Sequence, residues 1–540
     1  MMTKGISRRD SLKALGLLTA TSTLASAGWS VPRGLAAEAK TIRVVKSTAL
    51  RVLDPIITTA HISRDHGYMI YDTLLALDDK FQPQPQMASW EKSPDERTYT
   101  FHLRDGLKWH DGTPVTAEDC VASIKRWAVR DGSGQVLMSF VDSLSAADPK
   151  TIVFKLKKPF PYLVELMAKP AALVPFMMPK RVAETPATTM ITDYTGSGPF
   201  KFVKAEYRPG LKVVYEKFEG YVPRSEPASW NAGGKVVHVD RVEWINMPDP
   251  QTAISALTSA EVDFIERVPI DLLPILANSD DITVKVMNKL GGQIMARMNF
   301  LYPPFDNVKI RRAAMLAMNQ KDVLEAMIGN PKYYSLCGSV FGCGTPLESE
   351  VGAKPLMSGG DMAEAKKLLK EAGYDGTPVV IMQPTDLKLF QAAAMVVSQA
   401  LRTAGFKVDL QSMDWQTLVM RRASRKPPKD GGWNMFFTGW DMTEIDTPLI
   451  NPMLNGRGKS AWFGWPTDPD MDKLIGDYIA ATSDTERKKI ADQIQAHALA
   501  VVNYVPLGQF MTPWAWRDEL TGILPAPAPI FWNMDKKSSI

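Results

Sequence analysis

Strand, helix and strand follow one another repeatedly along this chain, and that order does most to narrow its fold. Val242–Met247 reads as a strand, Pro250 opens a helix over Gln251–Ser259, and Val262–Val268 reads as a second strand. The pattern returns with a strand over Val379–Gln383, a helix from about Leu387 to Thr403, Gly405 as its stop, and a strand over Lys407–Met413. Such alternation calls for sheets covered by helices, an α/β fold. Asp361 caps a further helix through Ala365, Leu368 and Leu369, stopped by Gly373, with Lys366, Lys367 and Lys370 on its wet face. Asp306 to Gly329 reads as a similar helix, with Ile310, Ala314, Ala317 and Met318 on one side. Tyr99–Leu103 and Thr151–Leu156 instead alternate with a period of two, as half-buried antiparallel strands do. With 540 residues and 45% hydrophobic content, the chain can bury enough surface for two or more domains.

Pro and Gly clusters punctuate it at Pro83–Pro85, Gly196–Pro199 and Pro525–Pro529, and the first two bracket a segment large enough for its own subdomain. The basic run Arg421 to Lys429 reads as a helix end passing into a solvated loop, with a functional anion site there as the minor alternative. A sequence pI near 8.6 invites a nucleic-acid reading, which the charge distribution removes. Residues 1–37 hold Lys4, Arg8, Arg9, Lys13 and Arg33 against Asp10; without them, 63 basic and 59 acidic residues become 58 of each. A phosphate-backbone binder would keep a basic surplus on one domain, so nucleic acid is not an expected partner.

Residues 1–37 read as an export signal. Ser7-Arg8-Arg9-Asp10-Ser11-Leu12-Lys13 resembles the twin-arginine pattern, with Ser11 where Phe is usual; a Sec signal with a chance Arg pair is the alternative. Small residues at Ala36-Ala37 or Ala37-Glu38-Ala39 suit cleavage, and no Cys nearby offers a lipid anchor. No later stretch has about 18 consecutive apolar residues, so the expected product is soluble and periplasmic. In that oxidising compartment Cys337 and Cys343, bracketing the Gly-rich CGSVFGC, are placed for a local disulfide, with two free thiols as the alternative. Cys120, inside a helix expected over Ala117–Trp127, reads as a small buried hydrophobe.

Several segments carry a resemblance. Arg97 to Arg126 (RTYTFHLRDGLKWHDGTPVTAEDCVASIKR) is followed in order by Gly196-Ser197-Gly198-Pro199-Phe200, the segment Glu216 to Tyr221, and Met298-Asn299 with Pro304-Phe305-Asp306-Asn307 and Arg311-Arg312-Ala313. Ala363 to Gly373 and Phe436 to Trp440 (FFTGW) complete the series. Together they resemble extracellular solute-binding protein family 5, the receptors of ABC importers for peptides, nickel chelates and related solutes. The resemblance implies a two-lobed periplasmic-binding-protein (Venus-flytrap) fold with an extra inserted subdomain. It assigns 38–83, 197–286 and 505–540 to lobe I, 84–196 to the inserted subdomain II, and 287–504 to lobe III. It also implies a monomer that closes on a small-molecule or peptide ligand and meets permease subunits in the inner membrane. No cofactor and no metal are expected.

Peptide-binding members carry GWxxDxxDP, whose first acid pairs with the peptide's α-ammonium. Here Gly439 to Pro448 puts Thr443 at the acid position, with Asp441, Glu444 and Asp446 nearby. A buried ammonium needs a carboxylate. Either Asp441 or Glu444 substitutes, or the ligand is not an ordinary free-amine peptide; turn chemistry is the bland reading of Asp441 and Asp446. Between 415 and 465 lie Trp415, Trp433, Trp440, Trp462 and Trp465, five of the fourteen Trp in the chain. Trp440 is the best candidate for stacking on a ligand. Trp462, Phe463 and Trp465 share a loop with Arg457, a candidate carboxylate partner, and Asp54 and His61 follow the first strand, where the family lines its cleft.

Catalysis finds little support. The chain has no C-x-x-C, H-E-x-x-H, G-x-S-x-G or G-x-G-x-x-G at a strand–helix junction. Its six His are scattered, and only His61 and His66 lie close together. A carboxylate-based exported hydrolase is the remote alternative. Within the carrier class, the alternative to a peptide is an opine, a sugar conjugate, an aromatic or amide compound, or a metal chelate.

Overall fold

The computed structural model describes residues 40–170 and 173–537, so the expected export segment and its cleavage sites lie outside the described residues. A seven-stranded sheet organises one lobe, in the order Phe200–Phe202, Lys212–Lys217, Arg241–Ile245, Thr41–Val45, Phe264–Ile265, Trp514–Arg517, Ile282–Lys285. Thr41–Val45 lies parallel to both of its neighbours, which are joined by the crossover helix Pro250–Thr258. Asp249 accepts from the Thr252 N–H at 2.8 Å and so caps that helix, while Pro250 stands where a backbone donor would be idle. Ile254 and Leu257 then bury against Val45, Ile265 and Ala515 on the sheet.

The other lobe is built on a six-stranded sheet, ordered Tyr334–Ser335, Val505–Phe510, Gly292–Met298, Met435–Asp441, Val379–Pro384, Val408–Met413. The last two run parallel, joined by the helix Lys388–Ala404. Phe390, Ala393, Ala394, Val397, Leu401 and Ala404 recur at helical spacing and are all buried, so one stripe of this helix covers the sheet. Gly405 ends it in the left-handed region (φ 107°), a conformation that costs glycine little. The strand–helix–strand units expected from the sequence therefore build both lobes.

Two expectations need correction. The segment read as one helix from Asp306 to Gly329 is two, Val308–Ala317 and Gln320–Met327. Asn319 is the reason: its side chain accepts from the Lys321 N–H at 3.0 Å, offering the backbone a cap in place of another helical turn. In addition, Val505–Phe510 pairs within the second sheet, beside Gly292–Met298, so the chain returns to the first sheet only after Phe510 and not after Tyr504. Two short crossings, 286–291 and 511–513, thus join the lobes, and they are where a hinge would act.

The segment between the Pro and Gly clusters folds as a four-stranded antiparallel sheet (Ala88–Lys92, Thr98–Leu103, Thr151–Leu156, Val141–Asp148) against the helix Ala117–Arg130. Thr116 and Asp119 close a capping box at the start of that helix, and Cys120 is buried on it. Cys337 and Cys343 form a disulfide, with Cα atoms 5.9 Å apart. No helix among the described residues is long and apolar enough to cross a membrane.

Candidate functional site

The two lobes face each other across a crevice. Ser47, Thr59, His61, Arg64, Glu266 and Trp514 line it from the first lobe; Asn288 and Gly291 line it from a crossing segment; Phe390, Trp415, Arg422, Trp440 and Asp441 line it from the second. The lobes stand close. The crevice holds about 80 Å³ reachable by the centre of a water-sized sphere, room for a few waters. A groove of about 790 Å³ adjoins it and shares Ser47, Thr48, Arg267, Leu387 and Thr512. A solute larger than a few waters requires the lobes to part.

At one end of the crevice a chain of ion pairs spans the lobes. His61 heads the helix His61–Ile70, and Arg64 follows on the same face. His61 Nε2 lies 2.9 Å from Glu444 Oε2, and Arg64 donates to Glu444 Oε1 at 3.0 Å and to Asp441 Oδ2 at 3.4 Å. Behind Arg64, Asp65 accepts from its guanidinium at 2.9 Å and from Lys46 at 2.8 Å, and Lys46 pairs with Glu266 at 3.0 Å. Burial works against the charge on Arg64, yet Asp65, Glu444 and Asp441 hold its pKa above the ordinary value. Glu444 is likewise opposed by burial but kept ionised by His61 and Arg64, below the usual range. Asp441 shows the reverse: burial and the Glu444 charge push it up by more than His61 and Arg64 pull it down.

Local chemistry explains the placement of the acids. Asp441 ends the strand Met435–Asp441 and caps the turn Met442–Glu444, whose Glu444 carboxylate accepts the Asp441 N–H at 2.7 Å. Asp441 is therefore both a turn residue and a crevice residue. Oxygen and nitrogen atoms of His61, Asp441 and Glu444 lie within 4.8 Å of one another, a spacing a cation could use. The charge that already compensates them is Arg64, and a dication beside a buried guanidinium would be repelled.

Aromatic rings form the other end. Trp440 stands edge-on to His61 at 6.3 Å and to Trp462 at 5.4 Å between centroids. Its indole N–H is buried with no partner among the described residues. Trp462 donates across the lobes to Thr59 Oγ1 at 3.2 Å. Beside it sits Arg422, the cap of the helix Trp415–Arg421 that the basic run was expected to end, and the one buried residue before that run passes into its exposed loop. Arg422 is 1% exposed. Its signal was present: Trp415, Leu418, Val419 and Arg422 fall at i, i+3, i+4 and i+7, and all four are buried.

The remaining sequence candidates scatter. Asp54 is buried away from the crevice, its oxygens taken by Arg126 (2.7 and 3.3 Å) and by the N–H groups of Ile56 and Ile191. It fastens the first lobe to the inserted segment. Arg457 is exposed and bridges to Thr467 through its backbone. Trp465 packs behind Trp433 at 5.8 Å, with Arg425 over its face. Phe463 is half-buried and stands 5.0 Å from the Arg422 guanidinium, forming its wall. Thr443 is buried with a hydroxyl that meets no partner among the described residues, and burial raises the Asp446 pKa to about 7; neither lines the crevice. Thr59, Arg64, Glu266 and Arg422 escaped sequence reasoning because their meaning depends on the opposite lobe.

This is the architecture of a two-lobed solute receptor. Residues 82–461 match the bacterial extracellular solute-binding proteins, family 5 (middle region), and the chain belongs to that family. It is 42% identical over 539 residues, covering 98% of this chain and 99% of the relative, to a probable peptide ABC transporter periplasmic-binding protein of Sinorhizobium fredii. Two solved structures share the fold. One is a periplasmic binding protein in complex with agropinic acid from A. tumefaciens R10 (TM-score 0.77, 23% identity, 93% of this chain and 99% of that one). The other is Haemophilus influenzae OppA in complex with RPPGFSPFR (TM-score 0.74, 21% identity, 93% and 99%).

Proposed function

We propose that this protein is the periplasmic substrate-binding component of an ABC importer and captures a peptide or peptide-like solute between its lobes. The observation that carries the reading is the crevice, whose polar and aromatic lining comes from both lobes and whose ion pairs cross between them. Closure can report ligand only if ligand touches both halves, and this lining meets that condition. The 42% identical relative, which carries a peptide importer's name, supports the ligand class. The solute is handed unchanged to permease subunits in the inner membrane, by a monomer delivered through its amino-terminal signal.

Within the crevice, Trp440 and His61 contact the solute, and Asp441 takes the ammonium role that the family's motif gives to the position held here by Thr443. Glu444 is unsuited to that role, because Arg64, His61 and the Asp441 N–H already use its oxygens. Asp441 faces the crevice, and its raised pKa marks an incompletely compensated charge that a ligand ammonium would satisfy. Mass spectrometry of solutes released by heat from protein purified without refolding tests the reading. An amine-bearing peptide-type solute is expected, present in wild type and lost in Trp440→Ala. Chemical conversion of the bound solute by the purified protein would overturn it.

A further inference from the structure

Residues 38–540 hold 58 basic and 58 acidic side chains, yet two segments of the second lobe hold cations alone. Segment 421–429 has Arg421, Arg422, Arg425, Lys426 and Lys429, and 457–459 has Arg457 and Lys459, with no acid in either. The fold brings the two together. The Arg425 guanidinium donates to the Lys459 carbonyl and stands 5.4 Å from the Trp465 centroid, while the Tyr302 hydroxyl donates to the Arg425 carbonyl at 2.7 Å. Pro427 and Pro428 turn the first segment back on itself, and the Gly432 N–H closes that turn on the Pro427 carbonyl at 3.0 Å. The Gly458 N–H donates to the Pro466 carbonyl at 2.8 Å and fixes the second segment. Arg425, Lys426, Lys429, Arg457 and Lys459 are all exposed. Elsewhere on this lobe surface lysines find carboxylates: Lys367 has Glu364 at 3.2 Å and Lys473 has Asp477 at 2.6 Å. The five cations of this face make no ion pair among the described residues. Two acids stand at its margin: exposed Asp430, and Asp472, which accepts the Gly456 N–H at 3.1 Å. Like charges gathered without counter-charges repel, and a negatively charged surface relieves that repulsion.

We propose that this basic face docks the protein on the anionic lipid headgroups of the membrane that holds its permease. The proposal is independent of which solute the crevice takes. Two features favour lipid over an acidic protein. The side chains of Lys426, Lys429, Arg457 and Lys459 make no hydrogen bond among the described residues, so they offer diffuse charge in place of a fixed pattern. Met420, 69% exposed on the last turn of the helix Trp415–Arg421, adds an apolar side chain next to the cations. A cationic cluster beside an apolar side chain matches a charged headgroup layer above an acyl layer. Arg422 lies within the first segment and Trp462 follows the second, so docking would bring the aromatic end of the crevice toward the membrane.

The test is co-sedimentation of the exported, purified protein with vesicles of phosphatidylcholine containing phosphatidylglycerol, against vesicles of phosphatidylcholine alone. Wild type is expected to bind the anionic vesicles at about 0.05 M salt, to release them at about 0.5 M, and to ignore the neutral ones. Each Lys or Arg near an anionic surface raises partition about fivefold, so a triple variant, Lys426→Ala with Lys429→Ala and Lys459→Ala, should bind on the order of 100-fold less. A control triple, Lys321→Ala with Lys367→Ala and Lys473→Ala, loses the same net charge elsewhere on the lobe and should bind within about threefold of wild type. No binding to anionic vesicles, equal binding to neutral ones, or equal losses in the two triple variants overturns the proposal. Protein that passes over vesicles but is retained on immobilised poly-glutamate through these lysines assigns the face to an acidic protein and overturns the lipid reading. The patch variant should keep the wild-type melting temperature and solute occupancy; a fall in either makes these lysines part of the folded scaffold or the solute site and refutes a docking role. Failure on vesicles counts against this face alone, whereas absence of any released solute from wild type counts against the carrier reading.

Discussion

Glu444 reaches across the lobe gap with both carboxylate oxygens, so Glu444→Ala is expected to shift the ligand-free protein toward an open form. The mutation removes charge-assisted bonds from Arg64 (3.0 Å) and His61 (2.9 Å), both on the first lobe. Breaking a fully buried pair costs about 3–5 kcal/mol. The lower end applies, because Arg64 keeps Asp65 at 2.9 Å and Asp441 at 3.4 Å. About 3 kcal/mol charged to the closed form alone is roughly a hundredfold in the closing equilibrium. Small-angle scattering should show a larger radius of gyration for the variant, and urea unfolding should change by less than that energy. The pH dependence follows from the direction of the shift. Glu444 titrates below its ordinary 4.5, so its stabilisation is complete above that value and is lost as pH falls through the depressed one. The wild-type radius should therefore hold at pH 5 and expand in more acid solution. An unchanged radius combined with a large loss in urea stability would refute the reasoning and make Glu444 a core residue of one lobe.

Other expectations are independent of that network. Asp54→Ala should lower stability by about 3–5 kcal/mol in urea while leaving solute occupancy intact, since Asp54 serves Arg126 and two backbone donors. Asp446 has its pKa raised from 3.8 to about 7, so the folded form binds an extra proton between those values and loses stability as pH rises through them. Asp446→Asn should accordingly stabilise the protein at pH 8, by up to a few kcal/mol, and change little near pH 4. Asn319→Ala should cost about 1 kcal/mol in urea, the value of a helix cap. The Cys337–Cys343 bridge, closing a separation of 6 residues, should be worth at most about 2 kcal/mol. Intact mass should rise by two hydrogens on reduction.

The lobes were legible because each strand and helix carries its own periodicity and stops. The stripe from Phe390 to Ala404 and the stop at Gly405 are written in consecutive residues, and so is the cap at Asp361. Local signals failed where two local preferences competed, as at Asn319, where a cap displaced a continuous helix. They also failed at the return to the first sheet, because Val505–Phe510 is equally good as a strand in either lobe and only its pairing decides.

The sequence by itself determined the fold class, the family, the aromatic clustering around Trp440, and the acids that follow it. It could not separate Asp54, consumed by Arg126, from Asp441, which faces the crevice, because both are acids beside a turn. For Arg422 the helical stripe it shares with Trp415, Leu418 and Val419 marked burial, but not the residue of the opposite lobe that it meets. Those distinctions depend on which charges the opposite lobe brings within a few ångströms. Coulombic and hydrogen-bonding partners that are hundreds of residues apart in the chain have no signature in local periodicity, and only the tertiary structure supplies them.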